Sequence, residues 1–210
     1  MSHLHYQNIP KSTNTEFFHK YYQEKSFING DKTFLDDYWS RYQKLFFESR
    51  DDKSILKLRD SINKTYLEKG RLIFIGNGAS ASLSSHAATD FTKQAKIPSI
   101  AFNDHNLITA FSNDYGYENW VSKAIEYYSK DKDMLIFISV SGESKNLING
   151  LNFAKKRNLK TASLTGSREQ NTIKLNTDIS LWVDSKAYNI VECLHTIWIT
   201  LIIDMFVGTP

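Results

Sequence analysis

The sequence is poor in cysteine and in net charge. Cys193 is the single cysteine among 210 residues, so a disulfide within the chain is excluded, and such usage is typical of proteins from reducing compartments. The formal net charge is only +3, and the charged residues are spread along the chain. Proteins that bind nucleic acid usually carry a concentrated basic face, so we expect no nucleic-acid partner.

Apolar segments of the kind that target or anchor a protein are also scarce. Residues 1–18 lack the apolar core of a signal peptide. The most apolar stretch, residues 193–207, has about fifteen residues, which is too few to cross a bilayer, and it contains His195 and Asp204. We therefore expect a cytoplasmic, soluble protein with no membrane partner, in which this stretch is a buried helix.

The amino-terminal part of the chain divides into a polar segment and two helices. Residues 1–32 are polar without a sustained period, which predicts an extended arm, and residues 33–210 are expected to form a single domain. Apolar residues then recur at intervals of three and four, which predicts one helix over residues 33–50 and a second from Ser54 to Gly70.

Beyond Gly70, apolar runs alternate with helical stretches. The runs predict buried strands at residues 72–75, 99–102, 134–138, 160–164 and 179–183. The helical stretches lie at about residues 80–95, 105–112, 117–129, 144–157 and 188–206. This alternation predicts an α/β fold with a parallel sheet that is covered by helices on both faces.

The strongest local signal is the serine loop, residues 139–144, which reads Ser-Val-Ser-Gly-Glu-Ser. It follows a buried strand and leads into a helix, where open α/β sheets bind ligands and unpaired N–H groups favour an anion. Its three hydroxyls add donors, and Gly142 lets the backbone approach a ligand closely. These features predict a site for a phosphate monoester.

Two observations leave an alternative open at the serine loop. Ser141 or Ser144 could simply cap the following helix, as serine often does. The carboxylate of Glu143 would repel a phosphate unless it points out of the site. The Gly-Lys-Ser/Thr of a nucleotide-hydrolysing loop is absent.

A second loop stands in the same relation to the first strand. This glycine loop, residues 76–80, reads Gly-Asn-Gly-Ala-Ser and also precedes a helix. Since the carboxyl ends of parallel strands meet at one edge of a sheet, the two loops predict a shared pocket.

Four stretches resemble the SIS (sugar isomerase) family, in particular its phosphoheptose isomerase branch: residues 73–80, 112–119, 138–146 and 164–166. The resemblance implies a three-layer, flavodoxin-like α/β sandwich around a five-stranded parallel sheet. It implies two amino-terminal helices that join subunits into a homotetramer with active sites at the interfaces. It also implies isomerisation of sedoheptulose 7-phosphate to a heptose 7-phosphate for lipopolysaccharide or capsule synthesis.

The resemblance also implies binding residues. Those for the phosphate are Ser139, Val140, Ser141 and Ser144. Those of the sugar pocket are Asn77, Gly78, Ala79, Ser80, Asn113 and Asp114.

Isomerisation through an enediol needs a general base and an acid or metal that polarises the carbonyl. The family's His-x-x-x-Glu pair becomes His86 and Asp90, which share one helix face. On the last helix Glu192 matches the family, and His195 stands three residues later on the same face. The predicted base is Asp90 or Glu192, and the predicted acid is His86 or His195. For His195 a buried core histidine is the competing interpretation.

The family pattern is broken at two positions of the last helix. Val191 and Ile199 stand where the resemblance implies glutamine and histidine, which with the first helix pair often bind zinc. The zinc site that this chain offers instead is His86, Asp90 and His195. The alternative function is a non-catalytic SIS protein that binds a sugar phosphate as a regulator or scaffold, similar to a relative that binds the bacterial replication initiator.

Overall fold

The computed structural model describes residues 30–48 and 50–208. The predicted arm, residues 1–32, lies outside them except for its last three positions, which begin helix α1 (Gly30–Gln43). The chain divides into two units, Met1–Lys44 and Leu45–Pro210.

Helix α1 ends earlier than predicted. A short π-helical segment, Lys44–Glu48, replaces the continuation to residue 50. Within α1 the aromatic side chains meet at helical spacing. Phe34 and Tyr38 stack with ring centroids 5.9 Å apart, and Tyr38 and Tyr42 meet edge-to-face at 5.2 Å. The apolar period therefore marked the helix correctly, but it did not distinguish an α-helical from a π-helical turn at its end.

The second unit contains a parallel sheet and the helices that cover it. The strands are β1 (Leu72–Gly76), β2 (Ser99–Ala101), β3 (Met134–Ser139), β4 (Lys160–Thr165) and β5 (Ile179–Trp182). The helices are α2 (Asp52–Leu67), α3 (Ala79–Lys93), α4 (His105–Tyr115), α5 (Trp120–Tyr128), α6 (Lys145–Lys156), α7 (Thr172–Asn176) and α8 (Tyr188–Val207). The predicted α/β fold with a five-stranded parallel sheet is confirmed.

Helices lie on both faces of the sheet and bury its central strands β1 and β3 on both sides. Ile73 and Ile75 of β1 belong to the cluster that packs beneath α5 and α6. Between them, Phe74 points the other way and stacks on Phe91 of α3, with ring centroids 5.5 Å apart. Helix α8 contacts both α2 and α3 on that second face. The result is the predicted three-layer sandwich.

The sheet order β2-β1-β3-β4-β5 places the direction change of the chain between β1 and β3. The register pairs Gly76 with Ile138 and Ser139 with Thr165. At such a switch point the connections leave in opposite directions and open a crevice beyond the strand ends. The glycine loop and the serine loop stand side by side at this crevice.

Helix α8 is longer than the apolar stretch seen in the sequence, with 20 residues. By length and composition it could cross a membrane, although the core helix of a soluble protein passes the same test. Its buried side chains are Ile190, Val191, Leu194, His195, Trp198, Ile199, Ile202 and Ile203. They form the face that packs against α2, α3 and β4, as expected for a buried core helix.

Candidate functional site

Two asparagine side chains join the glycine loop to the helix that follows the serine loop. Asn77 Nδ2 donates to Asn146 Oδ1 at 3.0 Å, and Asn146 Nδ2 donates to Asn77 Oδ1 at 2.9 Å. Asn146 lies in the first turn of α6 and is buried. The structure thus brings the two loops together, and Asn146 is a site residue that sequence reasoning missed.

Two of the three hydroxyls of the serine loop accept backbone hydrogen bonds. Ser139 Oγ accepts from the Gly142 N–H at 3.1 Å, and Ser141 Oγ accepts from the Glu143 N–H at 3.2 Å. Ser144 occupies the N-cap position of α6, but its side chain makes no capping hydrogen bond. A hydroxyl that accepts can still donate, so these serines can bind an anion beside the N–H groups of the first helical turn.

The carboxylate of Glu143 is held by α7. Its Oε1 accepts from the Thr172 N–H and its Oε2 accepts from the Thr172 hydroxyl, both at 2.8 Å. This pairing engages both carboxylate oxygens with the start of α7. The charge that argued against a phosphate at the serine loop therefore has a structural partner.

Gly142 and Asn171 fit together at the back of the serine loop. Gly142 has φ +66°, and a Cβ at this position would overlap the Asn171 side chain. Asn171 is fully buried, and its Nδ2 donates to the Arg168 carbonyl at 2.8 Å while its Oδ1 accepts from the Lys174 N–H at 2.9 Å. Sequence reasoning missed Asn171 because α7 has only 5 residues, too few to show a helical period.

Asn113 and Asp114 lie at the end of α4, and both are exposed. Asn113 Nδ2 donates to Asp114 Oδ1 at 3.0 Å. The same stretch of sequence reaches the glycine loop through Tyr117, whose hydroxyl lies 3.5 Å from Asn77 Oδ1. Tyr117 was not among the predicted site residues.

A cavity of about 270 Å³ lies between α3 and α8, and we call it the α3–α8 cavity. Its lining residues are Ala79, Ser80, Ser82, Leu83, His86, Glu192, Cys193, His195 and Thr196. Five of the predicted site residues are therefore brought together here. A sixth, Asp90, is joined to the group because its Oδ2 lies 2.9 Å from His86 Nε2.

Burial changes the acid–base properties of the two α8 residues in this cavity. It raises the pKa of the Glu192 carboxyl. His195 is fully buried, and burial lowers its pKa to about 4, opposed by the hydrogen bond to the Thr165 backbone. His195 is therefore neutral at pH 7. Its Nε2 lies 3.2 Å from the Thr165 carbonyl oxygen, and its Nδ1 has no hydrogen-bond partner in the described part of the chain.

The two positions that break the family pattern are packing residues. Val191 and Ile199 are fully buried. Val191 packs against Gly166 so closely that a Cβ on that glycine would come within 2.6 Å of Val191 Cγ1. Neither side chain can offer a polar group to a ligand.

The predicted zinc ligands are not assembled into one site. Within residues 30–48 and 50–208, no three histidine, cysteine, aspartate or glutamate side chains are grouped so as to hold a metal ion. His86 and Asp90 contact each other, but His195 Nε2 is engaged by Thr165. The donor set on the described residues therefore does not fit a tetrahedral zinc site, which needs three or four converging ligands.

The chain is similar to known sugar-phosphate enzymes over most of its length. A family model for the SIS domain matches residues 37–166. The chain is 35% identical over 140 residues to the phosphoheptose isomerase of Thermodesulfovibrio yellowstonii, covering 63% of this chain and 69% of that protein. It is 35% identical over 147 residues to the phosphoheptose isomerase of Helicobacter pylori, covering 67% and 76%.

The fold is also shared with a solved structure. The phosphoheptose isomerase of Neisseria gonorrhoeae superposes with a TM-score of 0.79 at 23% identity, covering 85% of this chain and 99% of that one. The family match spans more than half of the chain, and the crevice at the switch point lies within it. The chain therefore belongs to the SIS domain family and, within it, is related to the phosphoheptose isomerases.

Proposed function

We propose that the protein is a sugar-phosphate isomerase of the phosphoheptose type, which converts sedoheptulose 7-phosphate into a heptose 7-phosphate. The observation that carries the proposal is the serine loop. Its hydroxyls and the N–H groups of the first turn of α6 lie at the sheet's switch point, where such groups favour an anion, next to a cavity with ionisable side chains. The names of the relatives supply the substrate class.

In this proposal the serine loop anchors the phosphate through Ser139, Val140, Ser141 and Ser144. The glycine loop and the end of α4 line the sugar pocket through Asn77, Gly78, Ala79, Ser80, Asn113 and Asp114. Anchoring the remote phosphate holds the reacting carbons in place, so that binding energy lowers the barrier to proton transfer.

The proton moves between adjacent carbons through an enediol. A base removes it from the carbon next to the carbonyl and returns it to the neighbouring carbon. Glu192 suits this role because burial raises its pKa toward the range where a carboxylate is a stronger base. Asp90, in contact with His86, is the other proposed base. Of the two histidines predicted as the acid partner, we propose His86, because the only hydrogen on the His195 ring nitrogens is bound to the Thr165 carbonyl oxygen.

The similarity to the phosphoheptose isomerases also suggests how the protein assembles and where it acts. We propose a homotetramer with active sites at subunit interfaces, located in the cytoplasm, whose product supplies lipopolysaccharide or capsule synthesis. Size-exclusion chromatography with light scattering tests the assembly directly, since a monomer mass would contradict it.

A second function is favoured by one specific observation. Val191 and Ile199 are apolar and fully buried, so α8 lacks two polar groups that the resemblance to the isomerases implies. A non-catalytic protein that binds a sugar phosphate as a regulator or scaffold would keep the serine loop and lose turnover.

The two functions are separated by following heptose 7-phosphate formation from sedoheptulose 7-phosphate, with and without added zinc. We expect turnover that Asp90→Asn or Glu192→Gln lowers at least about 100-fold. Ser141→Ala should raise KM about 10-fold, because a hydrogen bond to a charged group is lost. Ser122→Ala on α5, whose hydroxyl bonds only the Asn119 carbonyl, is the matched control. Binding without turnover would favour the second function.

A further inference from the structure

The two ring nitrogens of His195 have different surroundings. Nε2 lies 3.2 Å from the Thr165 carbonyl oxygen, which can only accept a hydrogen bond. The neutral ring must therefore carry its hydrogen on Nε2, and Nδ1 is left with an unshared electron pair. The backbone of β4 thus selects the tautomer.

Nδ1 of His195 is a buried acceptor that the rest of the described chain does not satisfy. The ring is fully buried, and no described residue donates to Nδ1. An unsatisfied buried polar atom destabilises the fold, so its presence in a native protein calls for an explanation, of which a ligand contact is one. His195 lines the α3–α8 cavity, so Nδ1 is the ring nitrogen that remains for a ligand in that cavity.

The ring also lies close to the proposed phosphate anchor. Thr165, its hydrogen-bond partner, is paired in register with Ser139, the first residue of the serine loop. Neighbouring strands are about 4.8 Å apart, so the Thr165 backbone that holds the ring stands one strand away from the anchor. Ala79 and Ser80 of the glycine loop line the same cavity as His195, so this cavity joins the ring to the proposed sugar pocket.

We propose that Nδ1 of His195 accepts a hydrogen bond from a hydroxyl group of the phosphorylated sugar, which makes His195 a substrate-contacting residue that orients the sugar chain. This inference rests on the proposed function for the identity of the ligand. The ligand group is a neutral donor, because a ring with its hydrogen fixed on Nε2 can only accept at Nδ1. Inorganic phosphate lacks the sugar hydroxyls and should not engage the ring.

Two variants separate the role of each ring nitrogen. His195→Gln keeps an amide N–H that can reach the Thr165 carbonyl but removes the acceptor at Nδ1. His195→Asn keeps an acceptor near the Nδ1 position but is too short to reach Thr165. The full-length protein is titrated calorimetrically with sedoheptulose 7-phosphate and, separately, with inorganic phosphate.

We expect His195→Gln to bind the sugar phosphate about 10-fold more weakly, as the loss of one hydrogen bond predicts, and to bind inorganic phosphate like the wild type. His195→Asn should have a lower melting temperature but keep most of the affinity for the sugar phosphate. Unchanged sugar-phosphate binding by His195→Gln, or equal losses in both variants, would overturn the inference.

The ring nitrogens themselves give a second readout. In ¹⁵N NMR spectra of the histidine side chains, the free protein should show Nε2 protonated and Nδ1 unprotonated at His195. Sedoheptulose 7-phosphate should shift the Nδ1 signal, whereas inorganic phosphate should not. A hydrogen on Nδ1 in the free protein would overturn the inference.

These outcomes are independent of catalysis. If the sugar phosphate binds with the expected His195→Gln loss but is not isomerised, the proposed function fails and the inference stands. If turnover occurs and His195→Gln binds like the wild type, the inference fails and the function stands. A wild-type protein that binds no sugar phosphate contradicts both.

Discussion

At the scale of single residues, His195 shows how burial and one backbone contact determine what a histidine can do. Desolvation keeps the ring neutral, and the Thr165 carbonyl decides which nitrogen carries the hydrogen. Glu192, on the same helix and in the same cavity, responds to burial with a raised pKa. Burial thus favours the neutral form of both groups. His195 becomes a neutral hydrogen-bond acceptor, and the Glu192 carboxylate becomes a stronger base in the same cavity.

The depressed pKa of His195 predicts a pH-dependent stability. Between pH 6.5 and about 4 the unfolded chain binds a proton at this residue that the folded chain does not. The contribution of the neutral His195 ring to the free energy of unfolding is therefore complete above pH 6.5, and it is lost as the pH falls toward 4. Urea unfolding should show about 2 kcal/mol less stability from this residue at pH 5 than at pH 7.

The matching comparison uses two variants. His195→Gln should remove this part of the pH dependence, so its stability should fall less between pH 7 and pH 5 than that of the wild type. Ser122→Ala, which changes no titratable side chain, should leave the wild-type slope unchanged. Identical slopes in all three proteins would show that His195 is not the titrating group.

At the scale of elements, the serine loop depends on the short helix α7. Glu143 pairs with Thr172, and the Ile173 N–H donates to the Gly142 carbonyl at 3.1 Å. Asn171 fills the space that a side chain on Gly142 would need. Helix α7 lies far from the serine loop in the sequence, yet it holds the loop in the shape that the proposed phosphate site needs.

Two glycines with positive φ predict different costs of substitution. Gly78 has φ +58° and ψ −127° with open space around it, so Gly78→Ala should cost only backbone strain, about 1–3 kcal/mol. Gly142→Ala adds an overlap with Asn171 to a similar strain and should cost at least about 1 kcal/mol more. Urea unfolding of both variants measures the difference.

The same pair of variants also tests the function of the loop. Gly142→Ala should weaken the binding of inorganic phosphate, because the serine loop must shift to relieve the overlap. If Gly142→Ala is no less stable than Gly78→Ala, Asn171 does not support the loop as described.

At the scale of the whole molecule, the apolar composition of α8 is explained by its packing against the sheet and two neighbouring helices. One face of it packs against α2, α3 and β4, and the side chains at the family's two altered positions belong to that face. The same packing closes one side of the α3–α8 cavity. A helix that could cross a membrane by composition instead completes the core and the site.

This packing predicts where the protein is found after cell lysis. The full chain should stay in the supernatant when membranes are sedimented, because the apolar face of α8 is covered in the folded state. Ile202→Asp, which places a charge in that face, should move the protein into the pellet as aggregate. Wild-type protein that sediments with membranes and resists a high-salt wash would contradict the assignment of α8 as a core helix.

The sequence alone determined the order of strands and helices and the position of the two loops. Apolar runs, glycines and serines affect the backbone of their immediate neighbours, so strands and loops can be predicted from short stretches of sequence. The five strands begin at the predicted residues, and each ends within one residue of the predicted end. The short helix α7 and the early end of α1 were missed, because neither has a periodicity that a sequence window can detect.

The tertiary structure decided which side chains meet. Asn77 pairs with Asn146 across 69 positions, Glu143 turns to Thr172 across 29, and His195 reaches Thr165 across 30. Such contacts depend on how the sheet and helices pack, and no local pattern encodes them. For the same reason the predicted trio of His86, Asp90 and His195 separated into a contacting pair and a buried ring, since burial and backbone hydrogen bonding are properties of the folded chain.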